Sequence, residues 1–134
     1  MTILFDTSHL SISHECTSNL LLVEWRGVQS AADYVADCKL LLQYVVDTES
    51  HKMLCDSSEA FDGWDGIGDW VSMEYFPRLA KAGIRSVAWV NAEDWLTKAT
   101  IMRIVHRTTR PRIGLFEDSV SAHTWLERVP VAKS

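Results

Sequence analysis

The chain has 134 residues, a formal net charge of −5, 47% hydrophobic residues and 23% charged residues. These values are typical of a globular protein, and the length predicts a single domain over residues 1–134 with no room for a second. The acidic balance argues against nucleic-acid binding, and apolar runs such as Leu20 to Val23 are too short for membrane insertion.

The amino-terminal segment lacks the features of a secretory signal. Met1 to Asp6 contains neither a basic region nor a long apolar stretch. The three cysteines, Cys16, Cys38 and Cys55, are widely spaced and form no C-x-x-C pair, which argues against a disulfide framework and against a zinc site. We therefore predict a cytoplasmic protein with reduced thiols and without a cofactor.

The first predicted elements are two strands that form a hairpin. His9 to His14 alternates polar and apolar residues, and Leu20 to Trp25 is largely apolar. The short polar link between them favours antiparallel pairing. The outer edge of His9 to His14 carries no proline or lysine to block further pairing, so we expect a homodimer through that edge.

From Ser30 onward, helices and strands alternate. Ser30 is the predicted cap of the first helix, with Asp33 three residues on. Ser57 to Gly68 is predicted to be a loop, and Pro77 to kink the following helix or mark its first turn. The predicted strands are Lys52 to Asp56, Ser86 to Val90 and Arg112 to Glu117; the later helices run from Asp69 to Gly83, after Asn91 to Asp94, and from Ser119 or Ser121.

This order of elements predicts an α/β fold. Strands that alternate with helices require crossover connections, which favour parallel pairing. We therefore expect a mixed, mostly parallel sheet of about five strands with about four helices, in which the first strand is antiparallel and lies at or near an edge.

Three stretches resemble the SpoIIAA-like (STAS-related) family of bacterial proteins of unknown function. Asp69 to Val90 is similar to the family stretch W-x(6)-P-R-x(4)-G-x(3)-[VI]-A-x-V. Leu22 to Gly27, and Phe116 with Ala122, Trp125 and Leu126, resemble two further stretches. The resemblance implies a SpoIIAA-like fold. The nearest characterised relatives are anti-sigma-factor antagonists, which bind protein partners, and more distantly lipid-transfer domains of the CRAL-TRIO type, which are much longer.

The sequence favours a regulatory or protein-interaction module that is not an enzyme. It has no G-x-S-x-G elbow, no histidine spacing typical of zinc sites and no calcium-loop pattern among the acids between Glu59 and Asp69, so no catalytic or metal site is predicted. The basic stretch from Arg103 to Arg112 is typical of a solvated helix face, with contact to an anionic partner as the alternative.

The alternative function is binding of a small molecule, such as a lipid or nucleotide, or catalysis, in a crevice at the carboxyl ends of the strands. Asp56, Ser57 and Asn91 follow predicted strands, and Trp70 is expected beside them. Asp56 could equally accept backbone N–H bonds that shape its own loop. Asp65 completes the predicted ligand-binding set.

Asp65 enters through the family resemblance. SpoIIAA antagonists are switched by phosphorylation of a serine, and a gapless count places Trp64, Asp65 and Gly66 near that position. An acid there predicts that the switch is missing.

Trp64, on a glycine-rich loop, is predicted to be exposed and to contact a partner, whereas the other five tryptophans are predicted to be mostly core residues.

Overall fold

A computed structural model describes residues 1–61 and 64–130, which form one six-stranded sheet with helices on both faces. The strands are β1 (Thr2–Asp6), β2 (Leu10–Glu15), β3 (Leu20–Val28), β4 (Lys52–Phe61), β5 (Ser86–Val90) and β6 (Arg112–Phe116). The helical elements are α1 (Ala31–Thr48), a 3-10 turn (Asp65–Ile67), α2 (Gly68–Trp70), a π-helical segment (Val71–Tyr75), α3 (Phe76–Ala82), α4 (Trp95–Arg107) and α5 (Ser119–Arg128).

The strands lie side by side in the order in which they occur in the sequence. β1, β2 and β3 pair antiparallel, and β3, β4, β5 and β6 pair parallel. The predicted hairpin is confirmed, because Leu10 lies opposite Trp25 and Glu15 opposite Leu20. The predicted mixed α/β sheet is also confirmed, with one strand more than expected.

The additional strand is β1, which covers β2 on its outer side. Thr2 pairs with His14 and Asp6 with Ser11. The open edge predicted for His9 to His14 is therefore wrong, and a dimer can no longer be argued from it. Sequence reasoning missed β1 because the strand is short and Ile3 is 67% exposed, so its segment shows no clear buried face.

The two faces of the sheet carry different helices. Residues of α1, α3 and α4 pack with Leu21, Met53 and Val87 into the main core on one face. On the other face, Ala122 and Leu126 of α5 pack on a second core formed by alternate strand residues, namely Leu20, Leu54, Ala88 and Val90. Side chains of successive strand residues point to opposite faces, so β3, β4 and β5 each contribute to both cores.

The helix starts are set by side-chain caps. Ser30 Oγ accepts a hydrogen bond from the Asp33 N–H at 3.1 Å, which confirms the predicted start of α1. Asp94 caps α4 as expected, but the cap of α5 is Asp118 and not a serine. None of the helices in the described ranges has the length and apolar character needed to cross a bilayer.

The helical stretch from Gly68 to Ala82 widens before Pro77. Its middle part, Val71–Tyr75, is π-helical, and α3 resumes regular geometry with Pro77 in its first turn. Proline has no N–H and crowds the preceding turn. The wider π-helical turn before Pro77 accommodates both effects, where the sequence predicted a kink. Gly83, with a φ of +126°, ends the helix as predicted.

β4 is longer than predicted. Ser57 to Phe61 extends the strand, with Glu59 opposite Arg26 and Phe61 opposite Val28, so the predicted loop is wrong for these residues. Asp62 and Gly63 lie outside the described residues. The extension arises because β3 itself continues to Val28 and offers backbone partners that are remote in sequence.

The three cysteines are free and differ in accessibility, which allows a direct test of the core. Cys16 is exposed, whereas Cys38 and Cys55 are buried. Burial raises the pKa of Cys55 to about 12 and raises that of Cys38 well above its ordinary value. We expect a thiol reagent such as DTNB to titrate one thiol per chain in the native protein and all three after unfolding. Rapid reaction of two or three native thiols would contradict this packing.

Candidate functional site

Asp56 and Asn91 lie close together, but only Asn91 follows the end of its strand, because β4 continues past Asp56 to Phe61. Asp56 is opposite Val90, the residue before Asn91. Asp56 Oδ1 accepts a hydrogen bond from the Ser58 N–H at 2.9 Å, and Asn91 Oδ1 accepts one from the Ala92 N–H at 2.8 Å. Both side chains thus bind their own backbone, which is the loop-shaping role considered for Asp56.

Ser57 is fully buried and holds a tryptophan of the core. Trp89 Nε1 donates a hydrogen bond to Ser57 Oγ at 2.7 Å, and neither side chain is accessible. Ser57 therefore satisfies a buried indole N–H, a use that sequence spacing could not reveal. Asn91 is also buried, but its Nδ2 has no hydrogen-bond partner among the described residues.

We expect Ser57→Ala to destabilise the protein by about 1–3 kcal/mol, because it leaves the buried Trp89 N–H without its acceptor. Urea denaturation checks the value. Ser13→Ala is the matched control, since Ser13 is a half-buried strand serine whose hydroxyl makes no hydrogen bond to residues 1–61 or 64–130. Equal losses in the two variants would show that the Trp89 bond contributes nothing specific.

Trp64 belongs to a buried aromatic cluster, which corrects the prediction that it is exposed. Its side chain is 2% exposed, and its ring centroid lies 4.4 Å from that of Tyr34, 5.1 Å from that of Trp25 and 5.8 Å from that of Trp89. A buried Trp64 cannot serve as the surface contact proposed for it. These three rings come from β3, α1 and β5, and together they enclose the Trp64 ring.

The exposed tryptophan is Trp95, in the first turn of α4. Trp95 is 73% exposed and its neighbour Leu96 is 63% exposed. Met102, one heptad further along the same helix, is 51% exposed, and Phe61 at the end of β4 is 47% exposed. We call these four residues the α4 apolar patch. Trp95 is thus an exception to the prediction that the five tryptophans other than Trp64 are mostly core residues.

Two cavities flank α4 at the carboxyl end of the sheet. The Leu96 cavity, about 440 Å³, is lined by Phe61, Trp64, Leu96 and neighbouring residues of α4. The Trp70 cavity, about 340 Å³, lies between α4 and residues 65–70. Asp65 and Arg103 line both.

Only part of the predicted ligand-binding set shares these cavities. Asp65 and Trp70 lie together in the Trp70 cavity, and Asp65 also borders the Leu96 cavity with Trp64. Asp56, Ser57 and Asn91 are absent from both linings. The predicted crevice is therefore divided between three polar residues, namely half-buried Asp56 and buried Ser57 and Asn91, and the two accessible cavities beside α4.

The charges around the cavities are largely neutralised by ion pairs. Asp65 lies 3.1 Å from the Arg103 guanidinium, and Asp69 lies 2.5 Å from that of Arg107. Both pairs are exposed, so each contributes at most about 1 kcal/mol to stability. Hydrogen bonds from the Thr97 hydroxyl and N–H lower the pKa of Asp94, which therefore carries its charge at neutral pH beside the Leu96 cavity.

The acid at position 65 has a structural partner in Arg103, which explains its presence without a switch. Within residues 1–61 and 64–130, no three histidine, cysteine or acidic side chains are grouped so that they could hold a metal ion. The site therefore consists of an exposed apolar surface, the two cavities beside α4 and the ion pairs that line them.

A family model described as SpoIIAA-like matches residues 20–127 of the chain. The matched stretch begins at the first residue of β3 and ends within α5, so it includes the aromatic cluster, both cavities and the α4 apolar patch. No curated protein matches the chain significantly.

Proposed function

Because the chain belongs to the SpoIIAA-like family, we propose that it is a non-enzymatic, STAS-related regulatory module that binds a protein partner through the α4 apolar patch. The observation that carries the proposal is the exposure of Trp95 and of its neighbour Leu96, which lines the Leu96 cavity. The free cysteines agree with a reducing compartment, and we place the protein in the cytoplasm.

The patch has the composition of a protein interface. Tryptophan and arginine dominate the binding energy of many interfaces, and Trp95 lies on the helix that also presents Arg103. An exposed tryptophan next to an exposed leucine is costly to leave in water, and covering both releases apolar surface. The Leu96 cavity is large enough to receive an apolar side chain of the partner.

The surroundings of the patch are polar, as expected for an interface rim. Lys98 Nζ lies 2.9 Å from Glu117 Oε2, and the Asp65–Arg103 pair borders the cavity on the other side. Such charges fix the orientation of a partner more than they add affinity. The patch is thus a small apolar surface with two ion pairs nearby.

Capture of partners from the native host tests the proposal when three baits are compared. Wild type and Val120→Ala, which alters a residue of α5 that is 74% exposed, should retain the same protein. Trp95→Ala/Leu96→Ala should lose it, and calorimetry with the purified partner should show binding at least about a hundredfold weaker. A partner that binds all three baits equally would disprove the role of the patch.

The homodimer predicted from the sequence is tested with the same proteins. Light scattering that shows a wild-type dimer and a monomeric double variant would make the partner a second copy of this chain. A dimer that persists in the double variant would place the contact elsewhere, for example at the outer edge of β1.

A second candidate function, binding of a small molecule, is favoured by the Trp70 cavity. The Trp70 ring stacks on Tyr75 with an interplanar angle of 13°, and Arg103 and Arg107 lie across the cavity from it. A stacked ring opposite guanidinium groups suits a flat or anionic ligand. A thermal-shift screen should then give a compound that stabilises wild type and leaves Trp70→Ala unchanged.

A further inference from the structure

A third cavity, larger than the two beside α4, lies at the opposite end of the sheet from the α4 apolar patch. It measures about 640 Å³ and is formed where α3 ends and where β5 and β6 begin. Its buried lining residues are Ile84, Ser86 and Pro111. We call it the basic pocket, for the four side chains that surround it.

Those four side chains are Lys81, Arg85, Arg110 and Arg112, and none of the described lining residues carries a carboxylate. In the part of the chain that the structure describes, none of the four lies in an ion pair. By contrast, Arg26, Arg78, Lys98, Arg103 and Arg107 each have an acidic partner, whereas Lys39, Lys52 and Arg128 are scattered cations without one among the described residues. A concentration of positive charge without counter-charge is unexpected in a chain with a net charge of −5.

The fold assembles this group from separate segments. Lys81 comes from the last turn of α3, Arg85 from the link to β5, and Arg110 and Arg112 from either side of Pro111 before and at the start of β6. Ser86 and Arg112 are direct neighbours across β5 and β6. These four side chains therefore do not form a single solvated helix face, the structure that the sequence favoured for the stretch from Arg103 to Arg112.

One of the four side chains is held in place. Arg85 is half-buried, and its Nη1 donates a hydrogen bond to the Ala80 carbonyl oxygen at 3.2 Å. A guanidinium group has five N–H donors, so the remaining ones stay available to a ligand. Ordering a cation before binding lowers the entropic cost of recognising an anion.

We propose that the basic pocket binds a small molecule through a phosphate group. Arginine guanidinium groups bind phosphate oxygens with two parallel hydrogen bonds, and several cations are needed to balance a phosphate dianion. The walls formed by Pro77, Ile84 and Pro111 would contact the uncharged part of the molecule. The phosphate belongs either to a soluble metabolite or to a lipid headgroup, and the pocket recognises the chemistry that they share. The site is independent of the α4 apolar patch.

Calorimetry with inorganic pyrophosphate, and sedimentation with phosphatidylcholine vesicles with and without phosphatidic acid, test the proposal. We expect saturable one-to-one binding of pyrophosphate with a Kd below about 1 mM, or binding to vesicles that requires phosphatidic acid. The first result assigns the pocket to soluble phosphates and the second to headgroups. If neither probe binds, the proposal is wrong.

Charge-removing variants decide whether the binding occurs in the pocket. Arg112→Gln and Arg110→Gln should each weaken it about tenfold or more, since each removes a charge-assisted hydrogen bond. Lys39→Gln, an exposed lysine of α1 without an ion pair, removes the same charge elsewhere and should change the Kd by less than about twofold. Equal effects of all three would show attraction by net charge alone and would overturn the proposal. Lys81→Gln provides a further exposed position if either arginine variant fails to fold, as judged by circular dichroism.

Discussion

Trp64→Ala should lower the free energy of unfolding by about 3–5 kcal/mol, the range expected when a buried aromatic side chain is truncated. Trp64 is enclosed by the rings of Trp25, Tyr34 and Trp89, so its removal leaves a cavity bounded by residues of β3, α1 and β5. The rings are parts of rigid elements and cannot close over the space. Urea denaturation followed by circular dichroism measures the loss.

The matched control is Trp95→Ala, which removes the same side chain from an exposed position. We expect a change within about 0.5 kcal/mol, because Trp95 is 73% exposed. The pair separates the two roles: Trp64 stabilises the fold, and Trp95 is available for binding. If the two variants were equally stable, the positions of these tryptophans in the structure would be wrong.

Leu126→Ala should lower the free energy of unfolding by about 2–5 kcal/mol, because it removes the larger of the two fully buried side chains that α5 contributes to the second core. Leu126 is 1% exposed, and α5 packs on β4, β5 and β6. The other core residue of this helix, Ala122, is too small to fill the gap. Strand residues Leu54 and Val90 would lose their cover on this face.

Val120→Ala, on the same helix, is the control for Leu126→Ala. Val120 is 74% exposed, so the substitution should change the unfolding free energy by less than about 0.5 kcal/mol. Differential scanning calorimetry of the two variants measures the difference directly. A loss below about 1 kcal/mol for Leu126→Ala would mean that α5 is loosely attached to the sheet.

The elements that sequence reasoning located well carry local signals. Ser86 to Val90 is a continuous apolar run, and the observed β5 has the same bounds. Ser30 caps α1 through a bond to Asp33, a contact contained within four residues. Such signals do not depend on the rest of the chain, which is why they transfer directly into the structure.

The elements that sequence reasoning missed form only because neighbouring strands pair with them. β1 and the extension of β4 to Phe61 are strands because backbone partners lie beside them, in β2 and in β3. Their own side chains show little periodicity, and strand formation depends strongly on such context. Composition alone therefore suggested a loop where the sheet continues.

The buried face of α4 shows how a polar hydroxyl can mislead. The sequence favoured an apolar face with Trp95 and Met102, but the buried residues are Thr97, Thr100, Ile101 and Ile104. Both threonines can be buried because Thr97 Oγ1 bonds Asp94 Oδ2 at 2.7 Å and Thr100 Oγ1 bonds the Leu96 carbonyl at 3.2 Å. The larger apolar residues are consequently turned to the surface, where they form the patch.

The candidate site was predictable in position but not in composition. Parallel pairing of β4 and β5 brings Asp56 and Asn91 close together, although Asp56 lies within β4, which continues to Phe61. Contacts between residues remote in sequence decide which of these side chains have structural partners and are therefore closed to a ligand. The hydrogen bond between Ser57 and Trp89, 32 residues apart, is one such contact. For the basic pocket, the sequence indicated only the cluster that includes Arg110 and Arg112. Lys81 and Arg85 are remote from them in sequence, and folding brings them to the same cavity.

The order of the strands has a consequence for how the sheet is made during protein synthesis. Each strand lies beside the one that precedes it in the chain, so no strand has to insert between two that are already paired. A chain that leaves the ribosome amino end first can therefore add strands at a single growing edge, from β1 to β6. At every stage the newest strand forms that edge until its successor arrives. We expect truncated nascent chains ending after β4 or β5 to depend on chaperones, because their last strand still lacks its neighbour.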